Sequence, residues 1–289
     1  MTTLQALYRL ARTRLTDAGI ESAALDSRLL VSHVTGNSLE DIVCRPAATV
    51  SDAQVMAMEQ ALQRRLNGEP VFRIIGARDF FGLRLGMSPD TLEPRPDTEA
   101  LVELVLPRVQ AMAARAGACR VLDLGTGTGA ILLSLLANVE QASGVMTDIS
   151  AGALATAAEN ARNLGLDRRA GTVLSDWFDA VEGRFDVIVS NPPYIPSVEI
   201  EGLQAEVRAF DPLRALDGGP DGLGPYRMIA KGATAHLEKG GFVAVEIGAG
   251  QGPDIARIFG EAGFELSETR SDLGGHERAL LFVAEDTKK

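Results

Sequence analysis

The feature that most constrains the fold of this chain is an alternation of short apolar runs and helical segments in its second half. Five such runs are each followed by a helical or loop segment, and they cover 119–124, 144–148, 171–174, 185–190 and 241–246. Buried strands that alternate with helices are typical of a parallel sheet wrapped in helices. Two more β-rich runs, 264–269 and 279–284, are too close together for a parallel crossover. The pattern predicts an α/β fold with a seven-stranded sheet whose last strand is antiparallel.

The N-terminal part of the chain has apolar residues at helical spacing instead. Two amphipathic helices are marked by Leu4, Leu7, Ala11 and Leu15 and by Val55, Met58, Leu62 and Leu66. Ser51 and Gln54 stand at the capping-box positions of the later helix. Two shorter helices are predicted over 24–34 and 39–44, on either side of Gly36 and Asn37. Residues 1–70 are therefore expected to form a small helical bundle domain.

A connector follows this bundle. Aromatic and β-branched residues over 71–87 are broken by Gly76 and Gly82, which indicates a hairpin. Pro89, Pro94 and Pro96 come next, and prolines prevent a helix from propagating. We interpret 71–96 as a hairpin and Pro-rich connector, and 97–289 as the larger domain. Asp97 is predicted to be the N-cap of a helix that runs to Leu106.

Composition and charge narrow the class of protein and its partners. Apolar residues make up 46% of the chain and charged residues 23%, as in ordinary folded proteins. The sequence has no basic leader followed by an apolar run and no apolar stretch of bilayer-spanning length, so we expect a cytoplasmic protein without a membrane partner. The formal net charge of -11 opposes contact with a phosphate backbone. Direct binding to duplex DNA is therefore not expected.

The cysteines and histidines do not suggest a metal site. Cys44 and Cys119 both lie among apolar residues, so they are predicted to be buried thiols rather than a disulfide pair or metal ligands. His33, His236 and His276 are scattered, and none has metal-ligand spacing to a cysteine or to another histidine. No metal is predicted.

A glycine-rich run joins the strand at 119–124 to the next helix. From Asp123 to Ala130 it reads Asp-Leu-Gly-Thr-Gly-Thr-Gly-Ala. Glycines lack the Cβ atoms that keep a ligand away from the backbone. The predicted ligand contacts are Gly125, Thr126, Gly127, Thr128 and Gly129. The run also satisfies the dinucleotide fingerprint of dehydrogenases, so by itself it does not identify the ligand.

Acidic residues follow the next two predicted strands. Asp148 ends the second strand, where a carboxylate can accept two hydrogen bonds from a ribose diol. Asp176 follows the third strand and can accept from an adenine amine, and Trp177 beside it offers an aromatic face. These residues predict a nucleoside cofactor, and they do not separate a nicotinamide cofactor from S-adenosylmethionine.

The sharpest motif is Ser190-Asn191-Pro192-Pro193-Tyr194, directly after the fourth predicted strand. Two prolines fix the backbone and remove two donors, which leaves outward-facing acceptors. The Asn191 side-chain oxygen and the Pro192 carbonyl can accept both hydrogens of one NH2 group, while the Tyr194 ring can lie over a flat group. The motif predicts a site for a planar NH2 in which Asn191, Pro192 and Tyr194 are catalytic and Pro193 is a further substrate contact. Methyl transfer to such a nitrogen chiefly requires alignment with an electrophilic methyl group.

With these residues the chain resembles the HemK/PrmC family, the glutamine methyltransferases of peptide-chain release factors, over almost its whole length. The resemblance is carried by Leu92-Glu93-Pro94-Arg95-Pro96-Asp97-Thr98-Glu99, by the run from Asp123 to Gly129, by Asp148, by the residues from Asn191 to Tyr194, and by Ala215-Leu216-Asp217-Gly218-Gly219. It implies a Rossmann-like class I methyltransferase sheet that uses S-adenosylmethionine and releases S-adenosylhomocysteine.

The same resemblance implies roles for individual residues. The 125–129 loop, Asp148, Trp177 and Asn191 would contact the cofactor, and residues 191–194 would hold the substrate glutamine. The implied target is the glutamine of the Gly-Gly-Gln motif in class-one release factors, with the helical domain helping to dock that protein.

Other functions remain open at this point. An adenine exocyclic-amine methyltransferase acting on nucleic acid could use the same Asn-Pro-Pro-Tyr geometry for a flipped base. A glutamine methyltransferase of a ribosomal protein would differ only in its partner. A nicotinamide oxidoreductase would need a proton donor, and no convincing one is present in the sequence. A binding module without activity is opposed by the intact Asn191 and Tyr194.

Overall fold

The N-terminal part of the chain is helical in the computed structural model, which describes residues 2–284. Its helices are α1 (Leu4–Asp17), α2 (Ala23–Thr35), α3 (Leu39–Cys44), α4 (Asp52–Leu66) and the short α5 (Val71–Ile75). Ser51 and Gln54 form the predicted capping box of α4. The apolar faces of these helices bury one core around Leu7, Leu30 and Leu62. The helical N-terminal region predicted from the spacing of apolar residues is confirmed.

The hairpin is shorter than predicted. Residues 71–75 form α5, which ends at Gly76 with a φ of 75°, and only β1 (Ala77–Phe80) and β2 (Leu83–Gly86) form the hairpin. Five residues are too few to show a helical period, and β-branched residues favour a strand when propensity alone is considered. Val71 and Ile74 turn inward onto the helical core, and this tertiary burial stabilises the helix.

Seven strands form the main sheet. They are β3 (Cys119–Leu124), β4 (Ala142–Asp148), β5 (Ala170–Leu174), β6 (Phe185–Ser190), β7 (Leu237–Glu246), β8 (Phe264–Ser271) and β9 (Glu277–Ala284). Their order across the sheet is β5-β4-β3-β6-β7-β9-β8, and β9 runs antiparallel to both of its neighbours. The parallel pairs are the buried, mostly apolar strands that the sequence pattern indicated. The predicted seven-stranded α/β sheet with an antiparallel last strand is confirmed.

The register of the sheet brings several strand ends to one edge. Leu124 at the end of β3 pairs with Thr147 of β4 on one side and with Ser190 of β6 on the other. Asp148 at the end of β4 pairs with Leu174 at the end of β5. Strand β3 is the point where the strand order reverses direction, and open α/β sheets bind ligands at the carboxyl ends of strands beside such a point.

Helices cover both faces of the sheet. They are α6 (Glu99–Ala116), α7 (Ala130–Asn138), α8 (Ala151–Asn163), α10 (Gly224–His236) and α11 (Gly252–Glu261). The short helix α9 (Ala205–Phe210) belongs to the unit of the N-terminal helices instead. Val121 and its neighbour Leu122 lie in different cores, because successive strand residues face opposite sides of a sheet. The core on the Val121 side includes α6 and α7, and the core on the Leu122 side includes α10 and α11.

The start and the end of α6 differ from the prediction. Pro96–Thr98 is a short 3-10 helix, α6 begins at Glu99, and Asp97 pairs with Arg278 at 3.2 Å instead of capping the helix. The helix continues through Pro107 to Ala116 rather than ending at Leu106. A proline inside a helix costs about 3 kcal/mol. Burial of Val109 and Ala113 against the sheet offsets that cost.

Cys119 is buried, as predicted, but Cys44 is exposed. Cys44 is the last residue of α3, a helix in which only Ile42 is buried, so an apolar neighbourhood in the sequence did not mean burial in the fold.

The described chain forms two compact units. One contains residues 2–77 together with Ala205–Phe210, and the other contains Arg78–Gln204 and 211–284. The domain limits suggested by the sequence, 1–70, 71–96 and 97–289, stay a prediction.

Candidate active site

A loop with three glycines joins β3 to α7. Gly125, Gly127 and Gly129 have φ values of 67°, 56° and 85°, which side-chain-bearing residues rarely adopt. A Cβ atom added to Gly125 or Gly127 would meet no atom within 4 Å, so open space lies in front of both. A Cβ on Gly129 would lie 2.9 Å from the Leu133 side chain. The first two glycines thus leave room for a ligand, and the third lets the helix pack closely.

The threonines of this loop face inward. Thr126 and Thr128 are both buried, and the Thr126 hydroxyl donates to Asp123 Oδ2 at 2.6 Å. Asp123 Oδ2 also accepts from the Leu132 backbone N–H at 3.4 Å. Among the predicted loop contacts, the two threonines can therefore reach a ligand only through their backbone. Asp123 stabilises the loop through its hydrogen bonds with Thr126 and Leu132, a role that was not predicted from the sequence.

Asp123 is a buried carboxyl with incomplete hydrogen bonding. Its exposure is 0%, and its Oδ1 accepts no hydrogen bond from residues 2–284. Burial raises the pKa of Asp123 to about 7, and the negative charge of Asp148 acts in the same direction. The group therefore gains or loses its proton near neutral pH.

Asp148 lies at the end of β4, beside the glycine loop. Its Oδ2 accepts from the Gly127 N–H at 3.0 Å, and its Oδ1 accepts from the Ser150 N–H at 2.9 Å. Each carboxylate oxygen can accept a second hydrogen bond. The carboxylate is thus fixed to the loop and still able to bind a pair of hydroxyl groups.

Two apolar side chains are exposed near Asp148. Ile149 follows it directly and is 60% exposed, and Leu174 is its register partner at the end of β5 and is 56% exposed. Large apolar residues exposed at a sheet edge indicate a surface that a ligand covers. Neither residue was predicted from the sequence, because an isoleucine and a leucine at strand ends look like core residues.

Asp176 and Trp177 follow β5 in a strained turn. Trp177 has a φ of 47°, unusual for a bulky residue, and its carbonyl accepts from the Ser175 hydroxyl at 3.0 Å. Its half-buried ring packs against the core that contains α10. Asp176 is exposed. Backbone strain of this kind often occurs at binding sites.

The segment Asn191–Pro192–Pro193–Tyr194 follows β6. We call this segment the acceptor corner. Because Leu124 and Ser190 are paired residues on adjacent strands, the corner and the glycine loop leave the sheet about 5 Å apart, on the same edge. The Ser190 hydroxyl donates to the Leu124 carbonyl at 2.8 Å. The structure therefore places the corner beside the glycine loop.

The orientation of the Asn191 side chain is set by Thr98. Asn191 Nδ2 donates to Thr98 Oγ1 at 3.1 Å. No residue of the described chain donates a hydrogen bond to Asn191 Oδ1, so this oxygen remains available as an acceptor. Thr98 belongs to the 3-10 helix before α6, and the sequence analysis gave it no role.

Three further residues hold the acceptor corner in place. Gln251 Nε2 donates to the Tyr194 carbonyl at 3.0 Å. A Cβ on Gly218 would lie 2.8 Å from the Pro193 carbonyl, and a Cβ on Gly222 would overlap the Tyr194 carbonyl. Gly218 belongs to one of the runs that carry the family resemblance, but no sequence signal connects Gln251 or Gly222 with the corner.

Tyr194 is half-buried and packs against the core that contains α10. Burial raises the pKa of Tyr194 to about 12, and the negative charge of Glu246 adds to that shift. The phenol therefore stays neutral near physiological pH and presents a flat ring.

Glu246, at the end of β7, is a second buried carboxyl that the sequence analysis missed. It is 1% exposed, and its Oε2 accepts no hydrogen bond from the described residues. Burial raises the pKa of Glu246 to about 7, while hydrogen bonding from Thr98 and Asn191 and the charge of Arg278 oppose the shift. Because Val245 pairs with Ser190 in the sheet, Glu246 lies next to Asn191, at the start of the acceptor corner.

Comparisons with known proteins agree with this arrangement. Residues 6–76 match the family model of the PrmC N-terminal domain, and residues 102–206 match that of the methyltransferase small domain. A protein from Agrobacterium fabrum named release factor glutamine methyltransferase is 50% identical over 97% of each chain. One of the same name from Rhodospirillum rubrum is 47% identical over 93% of this chain and 81% of its own.

Solved structures are similar in fold alone. A methyltransferase from Pyrococcus furiosus has a TM-score of 0.52 at 19% identity, and the match covers 78% of this chain and 98% of that chain. The catalytic domain of hMettl16 has a TM-score of 0.56 at 14% identity, over 82% of this chain and 84% of that chain.

Proposed function

Because this chain belongs to the release factor glutamine methyltransferase family, we propose that it methylates the side-chain amide nitrogen of a glutamine in a class-one peptide-chain release factor. The methyl donor is S-adenosylmethionine, and the product of the donor is S-adenosylhomocysteine. The acceptor corner carries the proposal, because it offers an amide oxygen and a proline carbonyl beside the glycine loop. Two acceptors suit an NH2 group, whereas a hydroxyl or thiol substrate has one hydrogen to donate.

The residues at the sheet edge fit S-adenosylmethionine. The open space before Gly125 and Gly127 would let its methionine part approach the backbone. Each Asp148 carboxylate oxygen accepts one backbone N–H and could accept a second hydrogen bond from a ribose hydroxyl. Ile149 and Leu174 would flank the adenine, and covering them would remove apolar surface from water. When bound, the sulfonium group supplies an electrophilic methyl.

Asp176 and Trp177 would complete the adenine end of the cofactor site. The exposed Asp176 carboxylate can accept from the adenine amine, and the strained turn at Trp177 fixes its direction. This assignment rests on the position of both residues directly after β5, the strand next to β4.

The acceptor corner would activate the glutamine by orienting it. An amide nitrogen is a poor nucleophile, because its lone pair is delocalised into the carbonyl group. Hydrogen bonds from its two N–H groups to Asn191 Oδ1 and the Pro192 carbonyl would stabilise the positive charge that develops on nitrogen as the methyl arrives. The neutral ring of Tyr194 would restrict the amide plane, and alignment of this kind supplies several kcal/mol.

The target glutamine is proposed to be that of the Gly-Gly-Gln motif, and the site of action is proposed to be the cytoplasm, where translation ends. Within residues 2–284, no helix combines the length and the apolar character that a bilayer crossing requires.

The test is a methyl-transfer assay with tritiated S-adenosylmethionine. Full-length release factor, ribosomal proteins, duplex DNA and RNA are offered in separate reactions. We expect label in the release factor alone, and mass spectrometry should place one added methyl group on the glutamine of its Gly-Gly-Gln motif. The matched control is the same release factor with that glutamine replaced by glutamate.

Label found only in nucleic acid would favour an adenine methyltransferase and would overturn the proposal. Label only in a ribosomal protein would support glutamine methylation but would overturn the release factor as the substrate. Label in the glutamate control equal to that in the unaltered release factor would show that another residue is the target.

A further inference from the structure

We propose that a groove formed by α1, α2 and α3 of the N-terminal helical unit binds an acidic segment of a partner protein. The groove has a volume of about 740 Å³. This volume lies in the range of cavities that hold small ligands, so the groove can take a few side chains of a peptide. The inference goes beyond the proposed function, because it concerns other residues and requires neither S-adenosylmethionine nor a glutamine.

Three arginines without a carboxylate partner line this groove. Arg9 and Arg12 lie on α1, Arg28 lies on α2, and all three are exposed. Within residues 2–284, none of the three forms an ion pair. Four other arginines of the same unit do pair with carboxylates, namely Arg14, Arg45, Arg64 and Arg65. The groove therefore concentrates positive charge that the unit does not neutralise.

This concentration of positive charge is local, and it is unfavourable without a ligand. The helical unit as a whole has equal numbers of arginines and acidic residues and no lysine, so its net charge is close to zero. Arg9 and Arg12 stand three positions apart on the α1 surface, where like charges repel and weaken a helix. Among the described residues that line the groove, Asp17 at the end of α1 is the one carboxylate. An anion bound between the arginines would offset their repulsion.

Apolar and aromatic groups complete the lining. Val43 on α3 is 70% exposed, and Pro46 follows the same helix. The Arg28 guanidinium carbon lies 5.9 Å from the centre of the Tyr8 ring, a cation–π contact that directs this side chain toward α1. A guanidinium group can bind a carboxylate through two parallel hydrogen bonds. The lining therefore suits a peptide that carries both carboxylates and apolar side chains.

A phosphate backbone fits this groove less well than an acidic peptide does. Three arginines would neutralise about three phosphates, whereas strong electrostatic binding to a nucleic acid uses about six to ten such contacts. The formal net charge of -11 on the whole chain also opposes the approach of a long polyanion. The exposed Val43 offers a contact for an apolar side chain, which a sugar–phosphate backbone lacks.

The test is fluorescence polarisation of the full-length protein with a labelled peptide of alternating glutamate and leucine, at low salt and without cofactor. The same peptide with glutamine in place of glutamate and a single-stranded RNA of similar length are measured beside it. We expect the glutamate peptide to bind at least about tenfold more tightly than the glutamine peptide, the size of one charged hydrogen bond. The RNA should bind more weakly than the glutamate peptide.

Substitutions on α1 locate the binding. Arg9→Gln/Arg12→Gln should weaken binding of the glutamate peptide at least about tenfold. Its melting temperature should not fall below that of the wild type, because the substitution removes a repulsion. Arg14→Gln is the matched control, since Arg14 lies on the same helix and already pairs with Glu59, and it should change binding less than about twofold. Val43→Glu alters an exposed side chain and places a carboxylate among the arginines, so it should also weaken binding.

Several outcomes would contradict the proposal. Equal binding of the glutamate and glutamine peptides, or no binding of either, would show that the arginines hold no carboxylate. An equal loss in Arg14→Gln and in Arg9→Gln/Arg12→Gln would mean that net charge acts rather than the groove. Tighter binding of the RNA would make the groove a nucleic-acid site. Because the measurement involves no methyl transfer, failure of the proposed function would leave its result unchanged.

Discussion

At the scale of single residues, the site depends on polar groups whose direction is set by one or two hydrogen bonds. The Asn191 side chain is oriented by Thr98, the Asp148 carboxylate by two backbone N–H groups, and the Tyr194 backbone carbonyl by Gln251. Fixed groups lose little freedom when a ligand binds, so their interactions are available to the transition state. The chemistry therefore depends on orientation more than on reactive side chains.

Asn191→Ala removes an acceptor that matters most in the transition state. We expect kcat to fall by about 100-fold to 1,000-fold, as when one preorganised hydrogen-bonding group is removed from an enzyme site. Binding of S-adenosylhomocysteine, measured by calorimetry, should weaken much less. Full activity in this variant would show that Asn191 does not hold the reacting nitrogen.

The buried carboxyl of Asp123 should make stability depend on pH. Its pKa is about 7 in the folded protein and near 3.8 in an unfolded chain. Between these values the folded state holds a proton that the unfolded state lacks, so stability decreases as the pH rises. Asp123→Asn should therefore lose less stability than the wild type between pH 5 and pH 8, measured by urea unfolding.

Asp221→Asn is the control for this measurement. The Asp221 carboxyl beside Arg227 has a pKa lowered to about 2, so its contribution to stability changes only in acid, as the pH falls from about 4 to about 2. In Asp221→Asn, the pH dependence of stability between pH 5 and pH 8 should stay as in the wild type. An unchanged pH dependence in Asp123→Asn would show that Asp123 is ionised throughout this range.

The residues proposed to contact the cofactor and the substrate could be predicted from the sequence. The residues that orient those side chains could not. Gly125, Asp148 and Asn191 each lie within a few residues of a strand end, so local pattern finds them. Thr98 and Glu246 reach Asn191 only because the fold joins positions far apart in the chain. A single sequence carries no signal for such contacts.

At the scale of elements, the acceptor corner is a loop that is fixed by hydrogen bonds to neighbouring loops. The Ile195 N–H donates to the Leu216 carbonyl at 3.0 Å, and the Gly218 N–H donates to the Ile195 carbonyl at 2.9 Å. Gln251, just before α11, holds the Tyr194 carbonyl. The loop after β6, the 216–222 segment and the start of α11 therefore act together.

Gly222→Ala should disturb the acceptor corner, because Gly222 lies against the Tyr194 carbonyl. Gly222 has a φ of 71°, and an added Cβ would overlap the Tyr194 carbonyl, so the loop must shift. We expect kcat to fall about tenfold or more, because small misplacements cost much in an oriented reaction. The affinity for S-adenosylhomocysteine should remain close to that of the wild type.

Gly240→Ala is the matched control for Gly222→Ala. Gly240 has a φ of 80°, but an added Cβ would meet no atom within 4 Å. Both variants should lose about 1 kcal/mol of stability through backbone strain. Only Gly222→Ala should lose activity, and an equal loss in both would mean that strain alone lowers kcat.

Elements with a long, regular pattern were predicted well. The strands β3 and β6 were predicted with their observed bounds, since a strand buried on both faces is a continuous apolar run. The helical residues 71–75 and the passage of α6 through Pro107 were missed. In both places tertiary burial outweighs local propensity, which a local pattern does not contain.

At the scale of the whole molecule, charge is divided unevenly. Through Arg84 the chain has ten arginines and nine acidic residues, so the remainder carries all of the formal net charge of -11. We therefore expect the unit that contains the sheet to bind nucleic acid weakly, because its net negative charge opposes contact with a phosphate backbone.

Ligand binding should stabilise one unit more than the other. S-adenosylhomocysteine at 100 times its Kd should add about 2.7 kcal/mol to the stability of the unit that binds it. Hydrogen exchange should slow in the 124–130, 148–150 and 174–177 segments and should stay unchanged in α1 and α4. Protection confined to α1 and α4 would place the ligand elsewhere.

The pairing of β3 with β6 also sets an order of events during synthesis. Ser190 bonds to Leu124 across 66 positions, so a nascent chain leaves the ribosome with its glycine loop and Asp148 well before β6 and Asn191. Glu246 emerges later still. A domain generally folds as a unit. A growing chain would thus have made the residues for its nucleoside before it can fold their site, and both that site and the grip on an amide would form only once β6 and β7 have been made.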